Sequence, residues 1–161
     1  MKPLLLLLQT VLKRMAEICI AILALLTLAD VLGRYFLNIS VVGAVELTEI
    51  FMVGVIFCGI VLSTVAREHV AVDLLPLPFG RLGARIFHSI SQLIAAAICA
   101  VLGAASWSQA ESALDYADQT TMLNLPLAPV VFFMSIMLFI NTAVQLGLTW
   151  FDLRNEVRQH V

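Results

Sequence analysis

The sequence predicts an all-α integral membrane protein with four transmembrane helices and both termini in the cytoplasm. Of its 161 residues, 61% are hydrophobic and only 12% are charged, whereas soluble domains average about 25% charged residues. About 20 helical residues cross a hydrocarbon core of roughly 30 Å. The length therefore accommodates four spans in a single membrane domain covering residues 1–161, with no domain outside the bilayer.

Four charge-poor segments are long enough to cross the membrane. They are residues 16–36, 44–66, 84–106 and 126–149. Ahead of the first span, Leu4, Leu8 and Val11 fall on one helical face, which favours an interfacial helix over residues 3–14. A frayed N-terminal tail is the equally weighted alternative.

The basic residues predict the orientation of the chain. Eight of the nine Lys and Arg residues fall on one side of the predicted spans: Lys2, Lys13, Arg14, Arg67, Arg81, Arg85, Arg154 and Arg158. Only Arg34 falls on the other side. Because basic residues concentrate in cytoplasmic loops, both termini are expected in the cytoplasm.

Charged residues also cluster near the expected external surface. Asp30 and Arg34 are four residues apart in the first span, and Glu46 and Glu49 are three apart at the start of the second. We expect Arg34 to pair with Asp30 and with one of the two glutamates, clamping the first hairpin. An ion or proton site is the alternative. It is disfavoured because no ionisable residue falls at the midplane of a predicted span.

Two amides, Asn141 and Gln145, lie one turn apart on the fourth span. Amides in a membrane can hydrogen-bond across helices for about 0.6–2 kcal/mol, so they more often join helices than bind a substrate. We therefore interpret them as interhelical contacts.

Small residues predict close helix packing. On the third span Ala96, Ala100 and Ala104 repeat every four residues, and Gly59 with Ser63 repeats this spacing on the second. Such faces let helix backbones approach closely. The contact is expected within the chain or with a membrane partner.

An acidic segment, residues 107–124, follows the third span. It carries Glu111, Asp115 and Asp118 at helical spacing and no basic residue. This external helix or loop could dock a periplasmic protein, and an ordinary solvated face is the alternative.

Enzymatic and cofactor functions find almost no support in the sequence. The sequence contains no nucleotide-binding glycine loop, nucleophile elbow, HExxH or CxxC motif. The three cysteines lie in separate apolar segments, and no basic stripe suggests nucleic-acid binding. Neither a catalytic residue, a bound metal nor a cofactor is therefore expected.

Several short segments resemble the small permease subunit of tripartite ATP-independent periplasmic (TRAP) transporters, the DctQ-like family. After the second span, His69 and Asp73 flank a short apolar alternation typical of that family's cytoplasmic loop. The other matching segments are Asp30–Phe36 with Asn38, Glu46 with Glu49, and Leu123–Pro126. Leu127 departs from the pattern, since the family often has an aromatic residue after the proline.

The resemblance implies a scaffold rather than a transport site. In that family a periplasmic binding protein (P type) delivers an organic acid, such as a dicarboxylate or sialic acid, to a large membrane subunit (M type). The large subunit imports it with the sodium gradient, so sodium is expected there and not on this chain. The small subunit braces the large one in the bacterial inner membrane.

Two other functions remain open from the residues. One is a self-sufficient small exporter that uses Glu46 or Glu49 for proton coupling. The other is a membrane-embedded enzyme, for which Glu68, His69 and Asp73 would be the thin evidence.

Overall fold

The computed structural model describes the backbone of residues 2–66 and 81–157, and the side chains of residues 5–66 and 90–150. The described residues form four helices: α1 (Lys2–Leu37), α2 (Ala44–Ala66), α3 (Arg81–Asp115) and α4 (Ala128–Val157). Each helix contains a segment long and apolar enough to cross a membrane. The predicted all-α membrane fold with four spanning helices is confirmed.

Helix α1 is longer than predicted. Its 36 residues extend about 54 Å at 1.5 Å per residue, well beyond the hydrocarbon core of roughly 30 Å. Residues 3–14 belong to this continuous helix and do not form a separate one. Leu12 is buried in a core cluster with Cys58 and Val61 of α2 and Met137 of α4, so α1 packs against the other helices at this residue.

The ends of the other helices also differ from the sequence prediction. Helix α2 coincides with the predicted span, residues 44–66, whereas α3 continues to Asp115 and takes in part of the acidic segment 107–124. Helix α4 begins at Ala128, two residues after Pro126. Pro129, in the first turn of α4, is well placed because that turn does not need its missing N–H donor.

The helices are arranged in a single row. Helix α1 packs against α2, α2 against α4, and α4 against α3, and no other pair of the described helices is in contact. The order across the row is therefore α1, α2, α4, α3. Each hairpin, α1 with α2 and α3 with α4, is antiparallel, and the hairpins meet along the parallel helices α2 and α4. The buried apolar cluster of the row is formed by Leu12 of α1, Cys58 and Val61 of α2, and Met137 of α4.

Small residues let α3 approach α4 closely. Ala96, Gly103, Ala110 and Ala113 are buried, and α4 is the helix that α3 contacts. A Cβ atom added to Gly103 would lie 3.4 Å from atoms of both Leu138 and Phe139. Since lipid tails are as apolar as leucine, such fit contributes more to helix association than apolar burial does.

Local hydrogen bonds cap the C-terminal end of α3, where the connection to α4 begins. Ala117 has a φ of 50°, and the N–H groups of Ala117 and Asp118 donate to the carbonyls of Leu114 and Ala113 at 3.2 and 3.0 Å. This pattern is a Schellman motif, which satisfies carbonyls that the end of a helix leaves free. The connection then folds back on itself, with Gln119 bridging to Pro126.

Candidate functional site

Polar contacts gather at the end of the row where the two hairpin connections lie, which we call the hairpin end. There, Arg34 Nη2 lies 2.8 Å from Asp30 Oδ2. The other oxygen of Asp30, Oδ1, accepts a hydrogen bond from the Val41 N–H at 2.9 Å. Asp30 thus neutralises Arg34 and also fastens the α1–α2 connection to α1.

Glu46 joins the two hairpins. Its Oε1 accepts hydrogen bonds from Thr121 Oγ1 at 3.1 Å and from the Met122 N–H at 2.6 Å. Its Oε2 accepts a third from the Leu123 N–H at 3.0 Å. Glu46 is 9% exposed, and its position in the first turn of α2 places the negative charge at the favourable end of the helix dipole. We call the Glu46 carboxylate and residues 121–123 the latch.

Side-chain packing reinforces the latch. Gly43, just before α2, has a φ of 75°, a conformation that glycine adopts without steric cost. A Cβ atom added there would overlap the Leu123 side chain. Both the backbone conformation and the close approach of Leu123 therefore require glycine at this position.

The pairing of Arg34 differs in part from the one expected from the sequence. The ion pair with Asp30 is present, whereas Glu46 is engaged by the α3–α4 connection and not by Arg34. Glu49 is exposed on α2 and forms no ion pair among the described residues. The two glutamates, equivalent in the sequence, have different surroundings because Glu46 faces the second hairpin and Glu49 faces outward.

A second set of polar contacts crosses the row inside the spans. Thr64 Oγ1 of α2 donates to Asn141 Oδ1 of α4 at 2.6 Å, and Asn141 Nδ2 donates to Cys99 Sγ of α3 at 3.3 Å. Asn141 is 1% exposed. We call Thr64, Asn141 and Cys99 the polar seam, because together they join three of the four helices.

Further hydrogen bonds join α3 and α4 on either side of the seam. Gln145 Nε2 donates to Gln92 Oε1 at 3.1 Å, and Ser135 Oγ donates to the Gly103 carbonyl at 2.8 Å. Gln145 Oε1 is buried and has no hydrogen-bond partner among the described residues. Both amides singled out in the sequence, Asn141 and Gln145, therefore make interhelical contacts.

The three alanines singled out on α3 do not form one contact within the chain. Ala96 is buried, Ala100 is half-buried and Ala104 is exposed. Buried small residues of α3 follow a seven-residue spacing instead, from Ala96 through Gly103 to Ala110. In the sequence, small residues seven positions apart are therefore the pattern that indicates the packed face of α3.

The acidic residues after the third span face solvent or lipid, and one of them also bonds to a tryptophan. Glu111, Asp115 and Asp118 are all exposed, and Glu111 Oε1 accepts a hydrogen bond from Trp107 Nε1 at 3.0 Å. Trp107 also makes an edge-to-face contact with Phe132 of α4, with ring centroids 5.1 Å apart. This end of α3 is thus held against α4 while its carboxylates face outward.

Two of the predicted residues, His69 and Asp73, lie outside the described residues. Within the part of the chain that the structure describes, no three His, Cys, Asp or Glu side chains group closely enough to hold a metal ion. Cys19, Cys58 and Cys99 are free thiols.

The comparisons with known proteins identify the family. Residues 23–155 match the family described as tripartite ATP-independent periplasmic transporters, DctQ component. No curated protein and no solved structure matches the sequence. The family match covers 133 of the 161 residues, counted from its two ends, and it agrees with the four spanning helices of the structure. The chain therefore belongs to the DctQ family, the small permease subunits of TRAP transporters in the bacterial inner membrane.

Proposed function

We propose that this chain braces the large membrane subunit of a sodium-coupled TRAP importer of organic acids and carries no transport site of its own. DctQ proteins work in TRAP complexes with a large M subunit and a periplasmic binding protein. The proposed substrate is a dicarboxylate, sialic acid or a similar organic acid. The sodium ions that drive import would bind the large subunit.

The observation that carries this proposal is the open row of helices. A solute pathway through a membrane must be walled by protein on all sides, because polar groups of the solute cannot face lipid. Among the described helices α1 contacts only α2 and α3 contacts only α4, so the four helices do not close into a ring around a pathway. The latch and the polar seam instead hold the row as one unit that can support a neighbour.

The charge distribution supports an orientation with both termini in the cytoplasm. Eight of the nine basic residues fall on the side of the termini, and Arg34 falls at the hairpin end. This orientation would place the latch and the exposed Glu111, Asp115 and Asp118 in the periplasm. They would there be accessible to the incoming binding protein, for which we propose a docking role.

Reconstitution tests the bracing role. The chain would be co-expressed with the large subunit of its own TRAP system, and proteoliposomes would be supplied with the binding protein and an inward sodium gradient. We expect the two membrane subunits to co-purify and uptake to require both. Transport by this chain alone, driven by a proton gradient, would instead support the small exporter.

Reporter fusions test the orientation. An alkaline phosphatase fused after Val161 should be inactive, since that enzyme folds only in the periplasm, while a cytoplasmic fluorescent reporter at the same position should be bright. The opposite pattern would overturn the proposed orientation and with it the periplasmic docking role.

A further inference from the structure

One face of α2 points away from both of its neighbouring helices. Its residues recur at alternating spacings of four and three, which keeps them on one side of a helix. They are Val45, Glu49, Met52, Ile56, Gly59 and Ser63. Val45, Met52 and Ile56 are 66%, 46% and 49% exposed, Glu49 is exposed, and Gly59 and Ser63 are half-buried. We call this set the α2 outer stripe.

Glu49 does not suit a surface that faces only lipid. It lies five residues into the helix, about 7.5 Å along the axis from Ala44, and its nearest neighbours on the stripe, Val45 and Met52, are apolar. A carboxylate at such a depth is costly unless a cation or hydrogen-bond donor compensates it. The other glutamate of α2, Glu46, is compensated by the latch.

Among the residues that the structure describes, no basic side chain pairs with Glu49. Three basic side chains lie within the described residues: Lys13, Arg14 and Arg34. Lys13 and Arg14 are on the N-terminal part of α1, far from the hairpin end, and Arg14 pairs with Glu17 at 2.9 Å. Arg34 pairs with Asp30. The compensating charge for Glu49 is therefore expected from another protein.

Gly59 adds an independent feature on the same stripe. Apart from its chain neighbours and the nearby backbone of its own helix, no atom lies within 4 Å of the position where a Cβ atom of Gly59 would be, so packing within the chain does not require glycine here. A bare glycine backbone on a spanning helix permits close approach of a second helix. Gly59 lies ten residues from Glu49, about 15 Å along the helix. A single crossing helix can contact both residues.

The outward faces of α3 and α4 differ from this stripe. In their middle parts they expose large apolar side chains that suit lipid directly: Ile94, Ile98 and Val101 on α3, and Ile136, Phe139 and Leu146 on α4. The combination of a carboxylate and an open glycine thus distinguishes α2 from α3 and α4.

We propose that the α2 outer stripe is the docking face for one transmembrane helix of the large subunit. That helix carries an Arg or Lys side chain opposite Glu49 and packs directly on Gly59. The inference rests on the proposed bracing function and specifies the face and the chemistry that it uses. It predicts that the cation lies in the half of the membrane nearer the hairpin end.

Site-specific photocrosslinking identifies the docking face without weakening it. A photoreactive benzoylphenylalanine would be placed at Met52 in the complex co-expressed with the large subunit, and at Ile98 and Ile136 as matched exposed controls. We expect a crosslink to the large subunit from Met52 and none from the controls. Crosslinks only from Ile98 or Ile136 would assign the contact to α3 or α4 and overturn the proposal.

Two variants test the chemistry. Glu49→Gln should lower recovery of the large subunit with this chain about tenfold, since an interhelical polar contact in a membrane contributes on the order of 1–2 kcal/mol. Gly59→Leu should lower it at least as much by separating the helices. Ala97→Leu, a similar enlargement at an exposed α3 position, should leave recovery unchanged. A reversed charge at the large subunit's cation should restore recovery of Glu49→Arg.

The outcomes separate this inference from the function on which it rests. If the unaltered chain fails to co-purify with the large subunit, the bracing function itself fails. If the unaltered chain co-purifies and Glu49→Gln and Gly59→Leu do so equally well, the bracing function stands and the α2 outer stripe is not the docking face. Thermal unfolding of each isolated variant shows that the comparison involves folded protein.

Discussion

Replacing Glu46 with glutamine should loosen the contact between the two hairpins although the side chains have nearly the same shape. The carboxylate uses both oxygens as acceptors, one for Thr121 and Met122 and the other for Leu123. Glutamine provides one acceptor oxygen, and its NH₂ group would then face an N–H donor. At least one of the three hydrogen bonds must therefore be lost, and the remaining ones lose their charge assistance.

The size of the effect follows from the bonds that change. A hydrogen bond to a charged group contributes about 1.5–3 kcal/mol, so Glu46→Gln should destabilise the chain by roughly 2–4 kcal/mol. Glu46→Ala removes all three acceptor contacts and should cost more, about 3–5 kcal/mol. At roughly 2–4 °C per kcal/mol for a chain of this size, Glu46→Gln should lower the unfolding temperature by about 5–15 °C.

The thiol of Cys58 provides the assay. It is fully buried at 0% exposure, so a thiol-reactive fluorescent dye should label it only when the helices separate. Replacing Cys19 and Cys99 with alanine and serine in the reference protein makes the signal specific to Cys58. The unfolding temperature would be measured in detergent for the reference and for each variant.

Glu49→Gln is the matched control, because it makes the same chemical change three residues away on the same helix. Glu49 forms no hydrogen bond or ion pair among the described residues, so its replacement should change the stability of the isolated chain by less than about 0.5 kcal/mol. Equal unfolding temperatures for Glu46→Gln and the unaltered chain would show that the latch does not stabilise the row. An equal drop in unfolding temperature for both variants would show that stability depends on negative charge near this end of α2 and not on the hydrogen bonds of Glu46.

Two further predictions use the same assay. Asn141→Leu removes both hydrogen bonds of the polar seam and should destabilise the chain by about 1–2 kcal/mol. Thr64→Val should destabilise it by about 1–3 kcal/mol, because the buried Asn141 Oδ1 then loses its donor. Ala117→Gly should stabilise the chain by about 1 kcal/mol, since the positive φ of Ala117 is strained for alanine. Ala113→Gly, at a helical position four residues earlier, should destabilise it by a similar amount. A stabilising effect at both positions, or at neither, would contradict the conformational argument.

The spans could be predicted from the sequence because they depend on local composition. Segment 44–66 coincides with α2, and the predicted pairing of Asp30 with Arg34 involves residues one helical turn apart. The partner of Glu46 could not be predicted in this way. Met122 is 76 residues away, and their contact depends on which helices are neighbours in the row, which no local pattern states.

Helix geometry explains why only part of the predicted small-residue face of α3 packs within the chain. A spacing of four residues advances 400° around a helix, so it drifts by about 40° at each step, and Ala104 lies about 80° from Ala96. A spacing of seven drifts by only about 20° in the other direction. Gly103 therefore stays on the face of Ala96 and contacts α4, while Ala104 turns outward.

The division between Glu46 and Glu49 shows what a bracing subunit needs in lipid. Because apolar burial between helices contributes little there, an open row must be held by close fit and by a small number of polar contacts. The same kinds of contact are the ones available for binding a partner. If Glu46 serves the chain and Glu49 serves the complex, their variants should separate the two roles. Glu46→Gln should lower the unfolding temperature of the isolated chain and reduce assembly only through that loss, so cooling should restore assembly. Glu49→Gln should reduce assembly at every temperature at which the chain is folded.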